Sequence, residues 1–233
     1  MISNTLDIAP CRARLAGHGR VQIPGFLQEP SAQRLRQCLR EEVPWELAQR
    51  SDRPPLLDPA RQGLAPPAQD MERLREAIRR ARSGFEFAFD RYRMIDARRD
   101  GHDPHLVLHV VVDFLNSPEF LEFARDLTGD AGIRMVSAIG SRYRPGHFLR
   151  LHDDKSHEED RAFAYVINLS QGWQADWGGL LQFVDAQQNV VETFTPHWNS
   201  LSLFRVPHPH VVTQVAPWAL DARYSITGWL RRS

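Results

Sequence analysis

The stretch Tyr143-Arg-Pro-Gly-His-Phe-Leu-Arg-Leu-His152-Asp153-Asp154 sets an imidazole and a carboxylate two residues apart. Side chains alternate across an extended strand, so His152 and Asp154 are expected on one face and Asp153 on the other. One imidazole and one carboxylate are half of a metal site, although the spacing alone arises often by chance. A second half is offered by Pro207-His208-Pro209-His210-Val-Val-Thr-Gln-Val215, where a histidine heads a short β-like run. Two imidazoles and one carboxylate on an octahedral Fe(II) leave about three adjacent positions open. Open adjacent positions suit oxygen chemistry: two for a chelating co-substrate and one for O2.

A third piece is Arg223-Tyr-Ser225-Ile-Thr227-Gly-Trp229. Alternation puts Arg223, Ser225, Thr227 and Trp229 on one face. An arginine buried in a barrel is costly unless an anion pairs with it. A dicarboxylate co-substrate would supply that anion, with Arg223 gripping the distal carboxylate through its planar fork and the Ser225 hydroxyl assisting.

Five blocks stand in a fixed order: Tyr143-x-x-Gly146-x-x-Leu149-x-x-His152-Asp153-Asp154, Gly178-Gly179-Leu-Leu-Gln-Phe183, Asn199-Ser-Leu-Ser-Leu-Phe204, His210-x-Val212-x-x-Val215 and Arg223-x-Ser225-Ile-x-Gly228-Trp229. With these blocks the chain resembles the Fe(II)/2-oxoglutarate dioxygenases. Within them it is most similar to the prolyl-4-hydroxylase-type group, especially the ribosomal-protein prolyl hydroxylases. The resemblance covers the part from Arg142 to Leu230.

It implies that His152, Asp154 and His210 are the metal ligands, with His210 preferred over His208 because Val212 and Val215 follow it. It also implies that Arg223 and Ser225 bind the distal carboxylate of 2-oxoglutarate and that Tyr143 lines the same pocket. Asn168 stands where many members carry a tyrosine that reaches this carboxylate, which makes it a further co-substrate candidate. The implied cofactors are Fe(2+), 2-oxoglutarate as co-substrate and O2, with ascorbate as a reductant. The implied reaction is hydroxylation of an unactivated C–H bond of a prolyl residue in a protein or peptide, a free amino acid or small metabolite being the alternative substrate. The rivals from other classes are a zinc-dependent hydrolase and a non-catalytic jelly-roll metal-binding or sensor protein.

The surrounding pattern must position these groups. Before about residue 130 the periodicity is helical. Leu35, Cys38 and Leu39 recur at helical spacing after Pro30-Ser31. Met71, Leu74, Ile78 and Ala81 mark a second helix, with Asp70 as its expected cap and Gly84 as its stop. Ser117-Pro118 opens a third, with Phe120, Phe123, Ala124 and Leu127 as its apolar stripe and Gly129 after its end. The proline-rich run 53–67 reads as a loop. From Ile133 onward come eight short β-like runs near 133–142, 148–154, 162–170, 178–184, 189–195, 200–206, 209–215 and 223–231, which suggest a double-sheet jelly roll or barrel. Taken with the resemblance, the expected fold is α+β: a double-stranded β-helix, or distorted jelly roll, with N-terminal helices packed on the major sheet. Residues 1–130 are expected to form a helical support region and 131–233 the catalytic core, together one compact domain.

Composition narrows the alternatives. With 233 residues, 42% hydrophobic and 25% charged, the chain can bury a core without staples and is not disordered. Lys+Arg and Asp+Glu are both 29, and a balanced charge argues against a purely electrostatic nucleic-acid or membrane-surface binder. The arginines between Arg73 and Arg99 alternate with acids and read as a solvated face. Cys11 and Cys38 are too few for a disulfide framework, which fits a reducing cytoplasm. No apolar run is long enough for a transmembrane helix, and the start has neither a basic nor an apolar leader region, so no secretory signal is expected. His102, His105 and His109 are the raw material for a second metal site, a reading that no other pattern supports.

Overall fold

The computed structural model describes residues 1–50 and 68–233. The loop expected at 53–67 lies outside the described residues. The helices are α1 (Ile8–His18), α2 (Glu29–Glu41), α3 (Ala68–Arg80), α4 (Met94–Asp100), α5 (Leu108–Leu115) and α6 (Pro118–Thr128). The strands are β1 (Arg20–Pro24), β2 (Glu46–Gln49), β3 (Phe87–Tyr92), β4 (Met135–Val136), β5 (Ile139–Tyr143), β6 (Phe148–His152), β7 (Arg161–Asn168), β8 (Leu181–Val184), β9 (Val190–Phe194), β10 (Ser200–Arg205), β11 (His210–Val212) and β12 (Arg223–Arg231).

The strands pair antiparallel in the order β1-β10-β7-β12-β5-β3-β6-β11-β8-β9, with β2 added to β3 and β4 to β12. The path bends at β3, which pairs with β5 through Asp90–Tyr92 and with β6 through Phe87 and Ala88. The layer from β1 to β5 therefore faces the layer β6-β11-β8-β9 across one cavity, whose wall takes residues from both. At the far ends Gln22 of β1 donates to the Thr195 carbonyl, and Arg20 pairs with Glu192 of β9, so the barrel is nearly closed. This is the jelly-roll architecture expected from the sequence.

Alternation decides which face does what. On the larger layer Tyr224 and Ile226 of β12, Tyr165 and Ile167 of β7, and Leu201 and Leu203 of β10 turn outward into the main core. There they meet Leu35 and Leu39 of α2, Val111 and Leu115 of α5, and Phe120 and Leu127 of α6. The intervening residues turn inward, so Arg223, Ser225, Thr227 and Trp229 all reach the cavity wall.

Helix α6 forms where its signals stand: Ser117 Oγ accepts the Phe120 N–H, Pro118 opens the first turn, and Gly129 at φ 70° ends it. Asp70 is not the cap of α3. It is the third residue of that helix, buried, with its carboxylate 3.3 Å from Arg144. The eight β-like runs all carry strands, the first split into β4 and β5. The N-terminal stretch, read only as helices, also supplies β1, β2 and β3.

A buried ion cluster pins the corner strand. Asp90 of β3 receives Arg142 Nε at 2.8 Å and Arg144 Nη2 at 3.0 Å, and all three side chains are shut off from solvent. Burial opposes ionisation of Asp90, but His147, Arg142 and Arg144 nearby outweigh it and hold the carboxyl below its ordinary range.

Candidate active site

His152 ends β6 and His210 opens β11, and the two are direct partners across the antiparallel ladder. Their ring centroids are 4.1 Å apart. Each ring is clamped at Nδ1: His152 against the Arg150 carbonyl at 2.8 Å and His210 against the His208 carbonyl at 2.7 Å. A carbonyl can only accept, so both Nδ1 atoms carry a proton, which leaves each Nε2 as the ring atom able to ligate a metal. Those nitrogens face one carboxylate, with Asp154 Oδ1 3.3 Å from His152 Nε2 and Oδ2 3.6 Å from His210 Nε2. One ligand atom from each residue lies within 4.8 Å of the other two.

The reason these two neighbours share a face is not simple alternation. The strand stops at His152, and Asp154 lies beyond it with φ 62°, a left-handed conformation that aspartate tolerates better than most residues. That turn swings the carboxylate back under the rings. Burial works against ionisation of Asp154, but the His152 hydrogen bond and the His210 ring nearby pull its carboxyl below the usual range. Burial, with the His152 ring beside it, pushes His210 down to about 4, so its imidazole is neutral near pH 7. Two imidazole Nε2 atoms and one carboxylate oxygen, converging from one side, are a donor set suited to a ferrous ion with open positions opposite.

His208, the competing histidine, goes elsewhere: its Nε2 lies 3.0 Å from Arg20 and its ring packs edge-on to Phe183. Among the described residues His102, His105 and His109 do not converge on a metal position; the only such cluster is the one above.

The cluster opens on a cavity of about 410 Å³. Arg223 lies inside it, only 3% exposed, and its Nη1 donates to the Gly179 carbonyl at 2.7 Å. Its Nε has no partner, and no carboxylate among the described residues pairs with it. Burial lowers its pKa, which expresses how much a cation here wants an anion. The Tyr143 ring stands 5.4 Å from the guanidinium and stacks on Phe89, with centroids 5.0 Å apart and planes within 9°. Burial pushes the Tyr143 hydroxyl pKa upward, so it stays protonated. Ser225 also lines the cavity, its Oγ 2.7 Å from Ser141 Oγ. Asn168 does not reach the wall: its amide nitrogen donates to Ser200 Oγ and Ser202 Oγ, each at 3.2 Å.

Gly178 and Gly179 explain how Arg223 is backed. Gly178 has φ 69° and ψ −149°, a region open essentially to glycine alone, and a Cβ there would sit 2.1 Å from the Gln214 carbonyl oxygen. Close passage of this chain sets the Gly179 carbonyl against the guanidinium.

Sequence reasoning missed Phe85, Phe87 and Phe89, which line the cavity together. Their rings follow one another at 5.9 and 5.8 Å, and Phe85, 40% exposed, stands 5.6 Å from the His152 ring. The signal was present as three phenylalanines at alternate positions. Trp229 lines the cavity under the Arg161 guanidinium, whereas Trp173 and Trp177 pack against each other.

Comparison with known proteins agrees with this geometry. Residues 138–231 match the family model of the 2OG-Fe(II) oxygenase superfamily. The chain is 27% identical over 149 residues to mouse (Mus musculus) prolyl 3-hydroxylase OGFOD1, an alignment that takes in 60% of this chain and 26% of that protein. The chain thus spans about a quarter of the length of the curated relative it matches. Among solved structures, an oxidoreductase of the 2OG-Fe(II) oxygenase family from Burkholderia pseudomallei superposes with a TM-score of 0.65 at 18% identity, covering 100% of this chain and 94% of that one. A Pseudomonas putida prolyl-4-hydroxylase gives 0.57 at 19% identity, covering 100% and 95%. A Trichoplax adhaerens prolyl hydroxylase, solved with a peptide fragment of a hypoxia inducible factor degradation domain, gives 0.58 at 17% identity, covering 95% and 87%. At these identities the three structures speak for the fold.

Proposed function

We propose that this 2OG-Fe(II) oxygenase hydroxylates a prolyl residue of a protein or peptide, holding Fe(2+) on His152, Asp154 and His210 and 2-oxoglutarate on Arg223. The observation that carries the proposal is the meeting, in one cavity, of three residues able to hold a metal and a buried guanidinium with no carboxylate partner among the described residues. When bound, the ferrous ion and 2-oxoglutarate supply the oxidising chemistry, with O2 consumed and 2-oxoglutarate converted to succinate and CO2.

The chain's own contribution is geometry and exclusion. The carbonyls of Arg150 and His208 lock the two imidazoles with Nε2 turned toward the ion. Arg223 takes the distal carboxylate of the co-substrate, assisted by the Ser225 hydroxyl. Tyr143, Phe89, Leu149 and Val212 wall the co-substrate and keep water out. Phe85, at the open side beside His152, offers an aromatic surface to the substrate. Asn168 takes no part in this wall, because its amide nitrogen is held by Ser200 and Ser202.

A prolyl substrate is supported by the relative whose name states prolyl 3-hydroxylation and by the fold shared with prolyl hydroxylases. No helix of the described residues is long and apolar enough to cross a membrane, and Cys11 and Cys38 are both free thiols, which supports a cytoplasmic setting.

The test is succinate release with Fe(II), 2-oxoglutarate, ascorbate and O2, run across proline-containing peptides and free amino acids. The expected result is stimulation by a prolyl peptide that gains one oxygen on proline. Stimulation by free amino acids alone would overturn the prolyl assignment, and no coupled turnover with any of them would overturn the enzymatic one.

A further inference from the structure

Four buried polar side chains form a row across the inner face of the larger layer. Ser141 of β5 is the register partner of Ser225 on β12, Ser225 of Asn168 on β7, and Asn168 of Ser200 on β10. Each is only 1% exposed. Two positions along β5 and β12, the next pair on the same face is Tyr143 and Arg223. The row therefore runs beside the Arg223 guanidinium, and two of its three serines, Ser141 and Ser225, line the cavity.

The protons in this row can be counted. The Asn168 nitrogen is taken up by Ser200 and Ser202, so it does not serve Ser225. Among the described residues the only side-chain partner of Ser225 Oγ is Ser141 Oγ at 2.7 Å. Two hydroxyls carry two protons, and one lies between them. If Ser225 donated, the acceptor left within the row for the Ser141 proton would be the Ser225 carbonyl at 3.5 Å, the outer limit of a hydrogen bond. If Ser141 donates, the Ser225 proton is free to face the cavity, where an anion paired with Arg223 accepts it.

We propose that Ser141 is a positioning residue for the co-substrate: it donates to Ser225 Oγ and so fixes the Ser225 hydroxyl as a donor to the carboxylate held by Arg223. This rests on the 2-oxoglutarate reading above. The ligand class is a dicarboxylate, and Ser141 acts on it only through Ser225.

The test is calorimetric titration of 2-oxoglutarate into the Mn(II)-loaded protein without O2, comparing wild type, Ser141→Ala, Ser225→Ala and the double variant. Loss of one neutral hydrogen bond predicts roughly three- to tenfold weaker binding for Ser141→Ala. Adding Ser141→Ala to Ser225→Ala is expected to change nothing further. The Mn(II) affinity and the turnover at saturating 2-oxoglutarate are expected to stay at the wild-type level in Ser141→Ala. Wild-type affinity in Ser141→Ala, or a full additional loss in the double variant, overturns the proposal while leaving the enzymatic reading intact. Absence of 2-oxoglutarate binding by the wild type overturns that reading and the inference with it. Should Ser141→Ala not fold, Ser141→Cys, similar in size and a weak donor, is judged by the same criteria.

Discussion

His152 and His210 oppose one another across the β6–β11 ladder, each with Nδ1 tied to the carbonyl two residues before it. Neither ring chooses its own orientation: the backbone two residues earlier does, and the cross-strand register then sets the rings 4.1 Å apart. Asp154 completes the arrangement by turning back through a left-handed residue.

Removal of any one of these groups should empty the proposed metal centre. Ala at His152, Asp154 or His210 is expected to abolish retention of Fe(II) and succinate formation, while thermal unfolding of the metal-free protein remains cooperative. Metal content after dialysis and a coupled succinate assay check this. Full turnover in any of the three would remove that residue from the ligand set. Chelation should inactivate the wild type, and added Fe(II) should restore it.

Arg223 is the second anchor of the proposed site. Arg223→Ala is expected to weaken 2-oxoglutarate by about 2–5 kcal/mol, because a buried charged hydrogen-bonded pair is lost. Arg223→Lys keeps the charge but not the planar fork, and an intermediate effect is expected. The half-saturating co-substrate concentration reports both. An unchanged value in Arg223→Ala would rule out the assigned role.

His147 provides a pH signature of stability. It is buried, its Nδ1 accepts the Arg144 backbone N–H at 3.1 Å, and burial pushes its pKa from 6.5 to about 4. Between these values the unfolded chain binds a proton that the folded chain refuses, so the contribution is intact above about pH 6.5 and drains away as pH falls toward 4. The full effect is about 3 kcal/mol. His147→Asn keeps an acceptor without a titrating group. Its urea-unfolding free energy should fall less steeply over this window than that of the wild type, and equal slopes would count against the assignment.

The ion cluster at the corner strand should be intolerant of change. Asp90→Ala leaves Arg142 and Arg144 buried without the carboxylate they share, which predicts a loss of about 3–5 kcal/mol. A fall in Tm on the order of 10 °C, read by calorimetry, is the expected signature.

Gly178 carries both a special backbone conformation and a close approach. Gly178→Ala places a Cβ 2.1 Å from the Gln214 carbonyl oxygen, so the two chains must part. A destabilisation of about 2–4 kcal/mol is expected. Because Gly179 backs Arg223, weaker 2-oxoglutarate binding should accompany it.

Much of the fold was legible because its signals are local. Ser117, Pro118 and Gly129 mark both ends of α6, and the turns between the eight β-like runs separate strands that all form. The strands β1, β2 and β3 were missed for a physical reason. Arg20–Pro24 is short and ends in proline, and Phe87–Tyr92 alternates phenylalanine with a buried aspartate that only its distant arginine partners make tolerable. Nothing near Asp90 in the chain announces Arg142 and Arg144.

The order of chemical types along the chain, with an imidazole, a carboxylate, a second imidazole and an arginine each heading or ending a β-run, was determined by the sequence alone. It was enough to name the candidate groups and the family they resemble. Which of those groups meet was decided by tertiary structure. Cross-strand register put His152 against His210 and left His208 with Arg20. A left-handed turn, rather than strand alternation, brought Asp154 beneath the rings. Asn168 was drawn away by two serines on a neighbouring strand. Residue identity is local, but a ligand set, an unpaired guanidinium and a shared proton are relations between strands far apart in the chain, and only the closed barrel brings them within hydrogen-bond distance.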